Sequence, residues 1–156
     1  MEIERKFLVA RENLPADLNE YSKKKYTQGY LCTDPVVRIR REGEDFVLTY
    51  KSTGLIAREE YNLPLTQEAF EHLMPKADGI IIDKTRYFIP EKDGLTIELD
   101  IFEKPLAPLI IAEVEFSSIE EAKAYTPPAW FGREVSEDGA YHNSTLSRHG
   151  LPENLT

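Results

Sequence analysis
Cysteine and histidine are nearly missing from this sequence: one Cys, Cys32, and three His in 156 residues. A single thiol excludes an internal disulfide and sets the expectation of a reducing compartment. A zinc site built on several Cys is excluded, and three His leave little for a His-rich one. Positive charge is also in deficit. Lys and Arg number 19 against 28 Asp and Glu, a net charge of −9. A sequence-independent grip on DNA or RNA needs a basic surface, so no nucleic-acid partner is expected. No apolar run approaches the roughly 20 residues of a membrane span, and the charged Glu2 at the start is unlike a signal peptide. The expectation is a cytoplasmic protein with no membrane partner. There is no G-x-x-x-x-G-K-[ST] phosphate loop, and Ser144 and Ser147 lack a G-x-S-x-G context.

What remains is a chain that is 41% hydrophobic and 30% charged, the composition of a globular domain. Its length suits one domain, expected over residues 1–150 with a tail at 151–156. Strict alternation predicts about eight strands: Met1–Val9, Tyr26–Leu31, Val36–Glu42, Phe46–Ser52, Ala57–Leu63, Ile80–Ile89, Leu95–Phe102 and Leu109–Phe116. Turn signals such as Lys92-Asp93-Gly94 separate them. Helices are expected over Thr66–Met74, Ser118–Tyr125 and Asp138–Arg148, with a short fourth at Leu14–Ser22.

The alternation sorts charge. Glu2, Glu4 and Lys6 share one strand face; so do Arg38 and Arg40, Lys84 and Arg86, Glu98 and Asp100, and Glu113 and Glu115, while Lys51 and Glu60 each stand on a strand of their own. Polar-out alternation is ordinary for an antiparallel sheet. Repeated pairs of like charge are not, because neighbours of one sign repel. Such pairs call for absent partners: a hard divalent cation such as Mg²⁺ or Mn²⁺ for the carboxylates, and phosphate oxygens for Arg and Lys. A metal beside a polyphosphate is the layout of phosphoryl transfer. About eight antiparallel strands close into a barrel, and a charged face turned inward makes a polar tunnel whose apolar outer face the helices cover.

These residues resemble a known family. Glu2-Ile3-Glu4-Arg5-Lys6 looks like the ExExK signature of the CYTH superfamily, the triphosphate tunnel metalloenzymes. Arg38-x-Arg40, Lys51, Glu60, Lys84-x-Arg86, Glu98-x-Asp100 and Glu113-x-Glu115 follow in the family's order. The stretch from Gly132 to Asn143 is similar to the C-terminal region of the short prokaryotic members. The resemblance implies a mainly β fold with peripheral helices, an eight-stranded antiparallel closed tunnel with a charged interior. It implies metal held by Glu2, Glu4, Glu113 and Glu115, and phosphates held by Lys6, Arg38, Arg40, Lys51, Lys84 and Arg86. Glu60, Glu98 and Asp100 then complete a metal shell, orient water or pair with the bases, so the implied catalytic set is Glu2, Glu4, Lys6, Glu60, Glu98 and Asp100.

The activity expected is metal-dependent hydrolysis of a triphosphate, inorganic tripolyphosphate first and thiamine or nucleoside triphosphate next. An adenylate cyclase of the same family is the alternative, and a polyphosphate-binding module without turnover is the rival from another class. Against the cyclase, Tyr61 and Phe116 fall on the outward register and Phe88 is isolated, so no aromatic group is expected to stack a base. The oligomeric state stays open, a homodimer included. Cys32 reads as a small buried hydrophobe, the three His as surface or packing residues, and Trp130-Phe131 as a packing anchor. A plain β-domain would put Ile97, Leu99 and Val114 in a central core with Glu98 and Glu113 outside it.

Overall fold
A computed structural model of the chain describes residues 2–54 and 57–153. Nine strands are present among the described residues: β1 (Glu2–Leu8), β2 (Ser22–Thr33), β3 (Val36–Glu42), β4 (Asp45–Lys51), β5 (Ala57–Arg58), β6 (Glu60–Pro64), β7 (Asp78–Pro90), β8 (Thr96–Phe102) and β9 (Ile110–Glu115). They form one antiparallel sheet in the order β5-β1-β9-β8-β7-β2-β3-β4-β6. The two outermost strands of that order are consecutive in the chain and separated only by Glu59. The sheet therefore curls into a nearly closed barrel whose seam is a single residue wide.

The ninth strand corrects the expected count of eight. The run Ala57–Leu63 divides at Glu59: β5 pairs with β1, placing Arg58 opposite Glu2, while β6 pairs with β4, placing Glu60 opposite Lys51. One alternating run serves two partners because it crosses the seam. β2 is 12 residues long, beginning at Ser22 rather than Tyr26. Its Lys23-Lys24-Lys25 run is exposed yet fully paired with β7, so backbone pairing overrides a composition that reads as loop.

Helix α1 (Gln67–Leu73) starts at Thr66, whose hydroxyl accepts from the Ala69 N–H at 3.1 Å. In the same way Ser118 caps α2 (Ile119–Ala124) through the Glu121 N–H at 3.1 Å. The third expected helix breaks at His142, whose backbone is extended; a 3₁₀ turn at Gly139–Tyr141 precedes α3 (Asn143–His149). The expected helix at Leu14–Ser22 is absent, leaving only short 3₁₀ turns at Arg11–Asn13 and Leu18–Glu20. Its apolar residues Leu14, Leu18 and Tyr21 pack against the barrel wall instead, so tertiary burial replaces helix formation. No helix among the described residues is long and apolar enough to cross a membrane.

The apolar mass lies mostly outside the barrel. Phe7, Ile97, Leu99, Ala112, Val114 and Phe116 form a cluster on the outward face of β1, β8 and β9 and the segment after β9, where Phe131 and Trp130 seal it. Phe131 meets Phe7 at 4.9 Å between ring centroids, so the Trp130-Phe131 pair is indeed an anchor. A second cluster fills one end of the barrel interior: Leu8, Tyr30, Val36, Ile82, Phe102 and Ile111 converge there with Tyr141 and Leu146. They continue the inward register of strands that carry charge farther along, so the same barrel is greased at one end and charged in the middle. Leu151 packs against this second cluster, and residues 154–156 of the expected tail lie outside the described residues.

Candidate active site
Every second residue of the barrel strands points inward, and these residues enclose a cavity of about 360 Å³. Its wall holds Glu2, Glu4 and Lys6 of β1, Arg38, Arg40 and Glu42 of β3, Lys51 of β4, Glu60 of β6, Lys84 and Arg86 of β7, Glu98 of β8, and Glu113 and Glu115 of β9. Ile97, Leu99 and Val114 stand in the outer cluster, which disposes of the plain β-domain. Of the residues marked out by charge patterning, Asp100 alone is off the wall. It is fully buried behind it.

The acids and bases are sorted along the wall. Oxygens of Glu2, Glu60 and Glu115 lie within 4.8 Å of one another, a set of hard donors suited to a divalent ion. Burial, with Glu2 and Glu60 beside it, raises the Glu115 carboxyl. Glu4 is pushed up to about 7, by burial first and then by Glu113. Three carboxylate oxygens converging from β1, β6 and β9 offer the hard donors a divalent ion takes, so the donor set fits a metal. Glu60 joins the set that the strand pattern implied, whereas Glu4 and Glu113 bracket Lys6 at 3.4 and 3.3 Å. Burial opposes the Glu113 charge, but Lys6 and Arg86 outweigh it and hold the carboxyl well below its usual range.

Across the cavity the bases are braced. Asp100 takes Arg86 in a bidentate pair at 2.7 and 2.8 Å and Lys84 at 2.8 Å. A fork held from behind keeps its outer edge in one orientation. Burial drags the Lys84 ammonium down to about 7, against the pull of Asp100. Arg38 donates to the Thr49 hydroxyl at 3.1 Å, and its buried Nε has no acceptor among the described residues. Lys51 meets Glu2 at 3.0 Å and Glu60 at 3.4 Å, bridging the two sides.

Several wall residues escaped the charge patterning. Arg58 pairs with Glu2 at 3.3 Å, and Glu42 pairs with Arg40. Both extend the i, i+2 series, Glu42 from Arg40 and Arg58 from Glu60, so the signal was there. Asn62, Asn143 and Ser144 also line the cavity. Ser144 carries no nucleophile context, and nothing in its spacing announces it.

Tyr61, Phe88 and Phe116 do not line the cavity, but two tyrosines of β2 lie on the inner face. Tyr26 lies under both Arg40 and Arg86, whose guanidinium carbons are 4.5 and 5.0 Å from its ring centroid, and Tyr30 lines the cavity. The run Tyr26–Leu31 carries no charge to mark its inward face, and only its pairing with β3 sets Tyr26, Gln28 and Tyr30 opposite the inward residues Glu42, Arg40 and Arg38. Cys32 is half-buried beside a register shift in β2 rather than buried. His72 and His149 are exposed, while His142 is buried, its imidazole pulled down to about 4 by burial and the cations Lys6 and Arg58. Neither Arg133 nor Tyr141 is on the cavity wall; they meet each other at 3.3 Å.

Known proteins share this arrangement. The chain is 43% identical over 149 residues to a Nitrosomonas europaea protein named inorganic triphosphatase, covering 94% of this chain and 96% of that one. An Acetivibrio thermocellus protein of the same name is 36% identical, over 95% and 94% of the two chains. A crystal structure of an inorganic triphosphatase, 41% identical, superposes with a TM-score of 0.70 over 94% of each chain. The family model of the CYTH domain matches residues 1–148. With the inward charge series, the barrel and these relatives in agreement, the chain belongs to the CYTH family.

Proposed function
We propose that this protein is a metal-dependent triphosphatase that hydrolyses the terminal phosphoanhydride of inorganic tripolyphosphate. The observation that carries the reading is the sorted charge of one enclosed cavity: clustered carboxylate oxygens of Glu2, Glu60 and Glu115 against a basic wall of Arg38, Arg40, Lys84 and Arg86. Both full-length relatives bear the name inorganic triphosphatase. Among the described residues only Tyr30, Val36 and Val47 interrupt a wall of charged, amide and hydroxyl groups. Such a wall suits a phosphate chain and offers little to an adenine ring, which favours hydrolysis over cyclisation.

In this reading Glu2, Glu60 and Glu115 hold Mg²⁺ or Mn²⁺, with Glu4 and Glu113 close by. The ion, when bound, offsets phosphate charge and polarises the P–O bonds. Lys6, Arg38, Arg40, Lys51, Lys84 and Arg86 grip the phosphate oxygens and keep the chain in line for attack. The oxygen of a water forms a bond to the terminal phosphorus as the bridging P–O bond breaks, and diphosphate leaves. Glu98 takes the proton of that water. Burial raises its carboxyl against the pull of Arg86, which lies 3.3 Å away, and so strengthens it as a base. Asp100 touches no substrate; it positions Arg86 and Lys84.

The test is product analysis. Tripolyphosphate, ATP and thiamine triphosphate are each incubated with Mg²⁺, with Mn²⁺ and with excess chelator. Phosphate and diphosphate from tripolyphosphate, lost with chelator, is the expected result. Cyclic AMP from ATP with tripolyphosphate untouched supports the cyclase instead, and tight binding without turnover supports the binding module.

A further inference from the structure
Asn143 is the first residue of α3 and a half-buried part of the cavity wall. Its carboxamide is oriented by chemistry. Oδ1 accepts from the Lys84 ammonium at 3.0 Å and from Gln28 Nε2 at 3.1 Å. An ammonium has only hydrogens to offer, so the atom facing Lys84 is the carbonyl oxygen and the amide cannot be flipped. The other branch, Nδ2, carries two N–H donors that no acceptor takes among the described residues, and it is not among the buried unpartnered atoms. Nδ2 is thus not sealed in the interior, and the residue that carries it lines the cavity.

The support of Asn143 is rigid. Leu146 and Ser147 of α3 are fully buried. At Gly79 of β7 a Cβ would stand 2.2 Å from the Ser147 carbonyl oxygen, so helix and strand touch backbone to backbone. Gly79 has φ +70, where L side chains are strained, which adds a second reason for glycine at this contact.

An amide whose oxygen is committed to an ammonium cannot ligate a cation. It can only donate, and among the described residues the buried side-chain atoms without a partner include one donor on the cavity wall, the Arg38 Nε, and one acceptor beside Asn143, the Gln28 Oε1, which Nδ2 does not meet. We infer that Asn143 is a substrate-contacting residue whose Nδ2 donates to a phosphate oxygen of the bound triphosphate. The inference rests on the triphosphatase reading and adds a neutral donor from α3 to a wall whose charge comes from the strands. A neutral donor stabilises charge without repelling Lys84 and Arg86 next to it.

Two variants separate donation from support. Asn143→Asp keeps an oxygen for Lys84 and Gln28 but loses the donor; Asn143→Ala loses both. A hydrogen bond to a charged group is worth roughly 10- to 100-fold, so kcat/KM for tripolyphosphate with Mg²⁺ should fall by about that factor in Asn143→Ala and by more in Asn143→Asp, with thermal melting of Asn143→Asp unchanged. Wild-type kcat/KM in a folded Asn143→Ala overturns the inference. So does recovery in Asn143→Asp, which assigns Asn143 the supporting role alone. If Asn143→Ala fails to fold, Asn143→Asp decides by itself. If the wild type releases no phosphate, the triphosphatase reading falls, and calorimetric binding of tripolyphosphate with Mg²⁺ decides in its place. Weaker binding by the variants then upholds the contact, and equal or no binding removes it.

Discussion
Tyr26 shows how a side chain that never meets the cavity can set its geometry. Its buried ring touches both Arg40 and Arg86, two like charges from β3 and β7 that repel each other. Contact between a guanidinium and an aromatic face is worth about 2 kcal/mol when water is excluded. Tyr26→Leu should therefore raise KM for tripolyphosphate about tenfold, and Tyr26→Phe, which keeps the face, should restore it. Steady-state kinetics on both variants check this, and equal KM values would show that the ring does not position the pair. Asp100 acts from the opposite side. It is fully buried against Arg86 and Lys84, so Asp100→Ala removes the carboxylate from both buried cations and leaves Arg86 only the longer contacts with Glu98 and Glu113. The expected loss is about 3–5 kcal/mol, read by denaturant unfolding. An unchanged midpoint would mean that the network contributes nothing net.

Among the elements, α3 has an influence out of proportion to its seven residues. It closes the apolar end of the barrel through Leu146 and presents Asn143 and Ser144 to the cavity. Its seat is Gly79, and Gly43 provides a comparison. Gly43 also has a positive φ, +62, but its nearest neighbour to an added Cβ is a flexible Lys24 carbon at 3.9 Å. Gly43→Ala should cost only the left-handed strain, about 1–2 kcal/mol. Gly79→Ala adds the clash with the Ser147 carbonyl, so it should melt lower than Gly43→Ala and lose activity as Asn143 shifts. Equal melting temperatures in the two variants would show that α3 yields without cost.

For the molecule as a whole, the cavity couples folding to protons. The Glu4 carboxyl rises from its usual 4.5 to about 7, by burial first and by Glu113 and Glu2. Between those pH values the folded state holds a proton that the unfolded chain has released. This site therefore loses stability as pH rises from about 4.5 to 7. A divalent ion favours the ionised carboxylate, so its affinity should climb as pH rises toward and past 7, with proton release below that point. Calorimetry of Mg²⁺ binding at pH 6.5 in buffers of different ionisation heat measures that release. Its absence would take Glu4 out of the metal's surroundings. Glu4→Ala should retain the fold, because it relieves crowding, and should lose turnover.

Alternation in the sequence determined most of this protein. Strand faces are a local property with a period of two, so Glu2, Glu4, Lys6, Arg38, Arg40, Lys84, Arg86 and Glu113 could be assigned to one charged surface before any folding. The caps of α1 and α2 were equally local, resting on Thr66 and Ser118. What the tertiary structure decided depends on partners distant in sequence. Closure split one alternating run at Glu59, because β5 and β6 pair with opposite ends of the same sheet. Burial withdrew Asp100 from the wall and made it a brace, although its face is that of Glu98. Pairing with β7 carried β2 back to Ser22, pairing with β3 set Tyr26 inward, and only the docking of α3 on Gly79 brought Asn143 to the cavity. Periodicity fixes which way a side chain points along its own strand; what it meets there depends on where closure and packing bring the other strands.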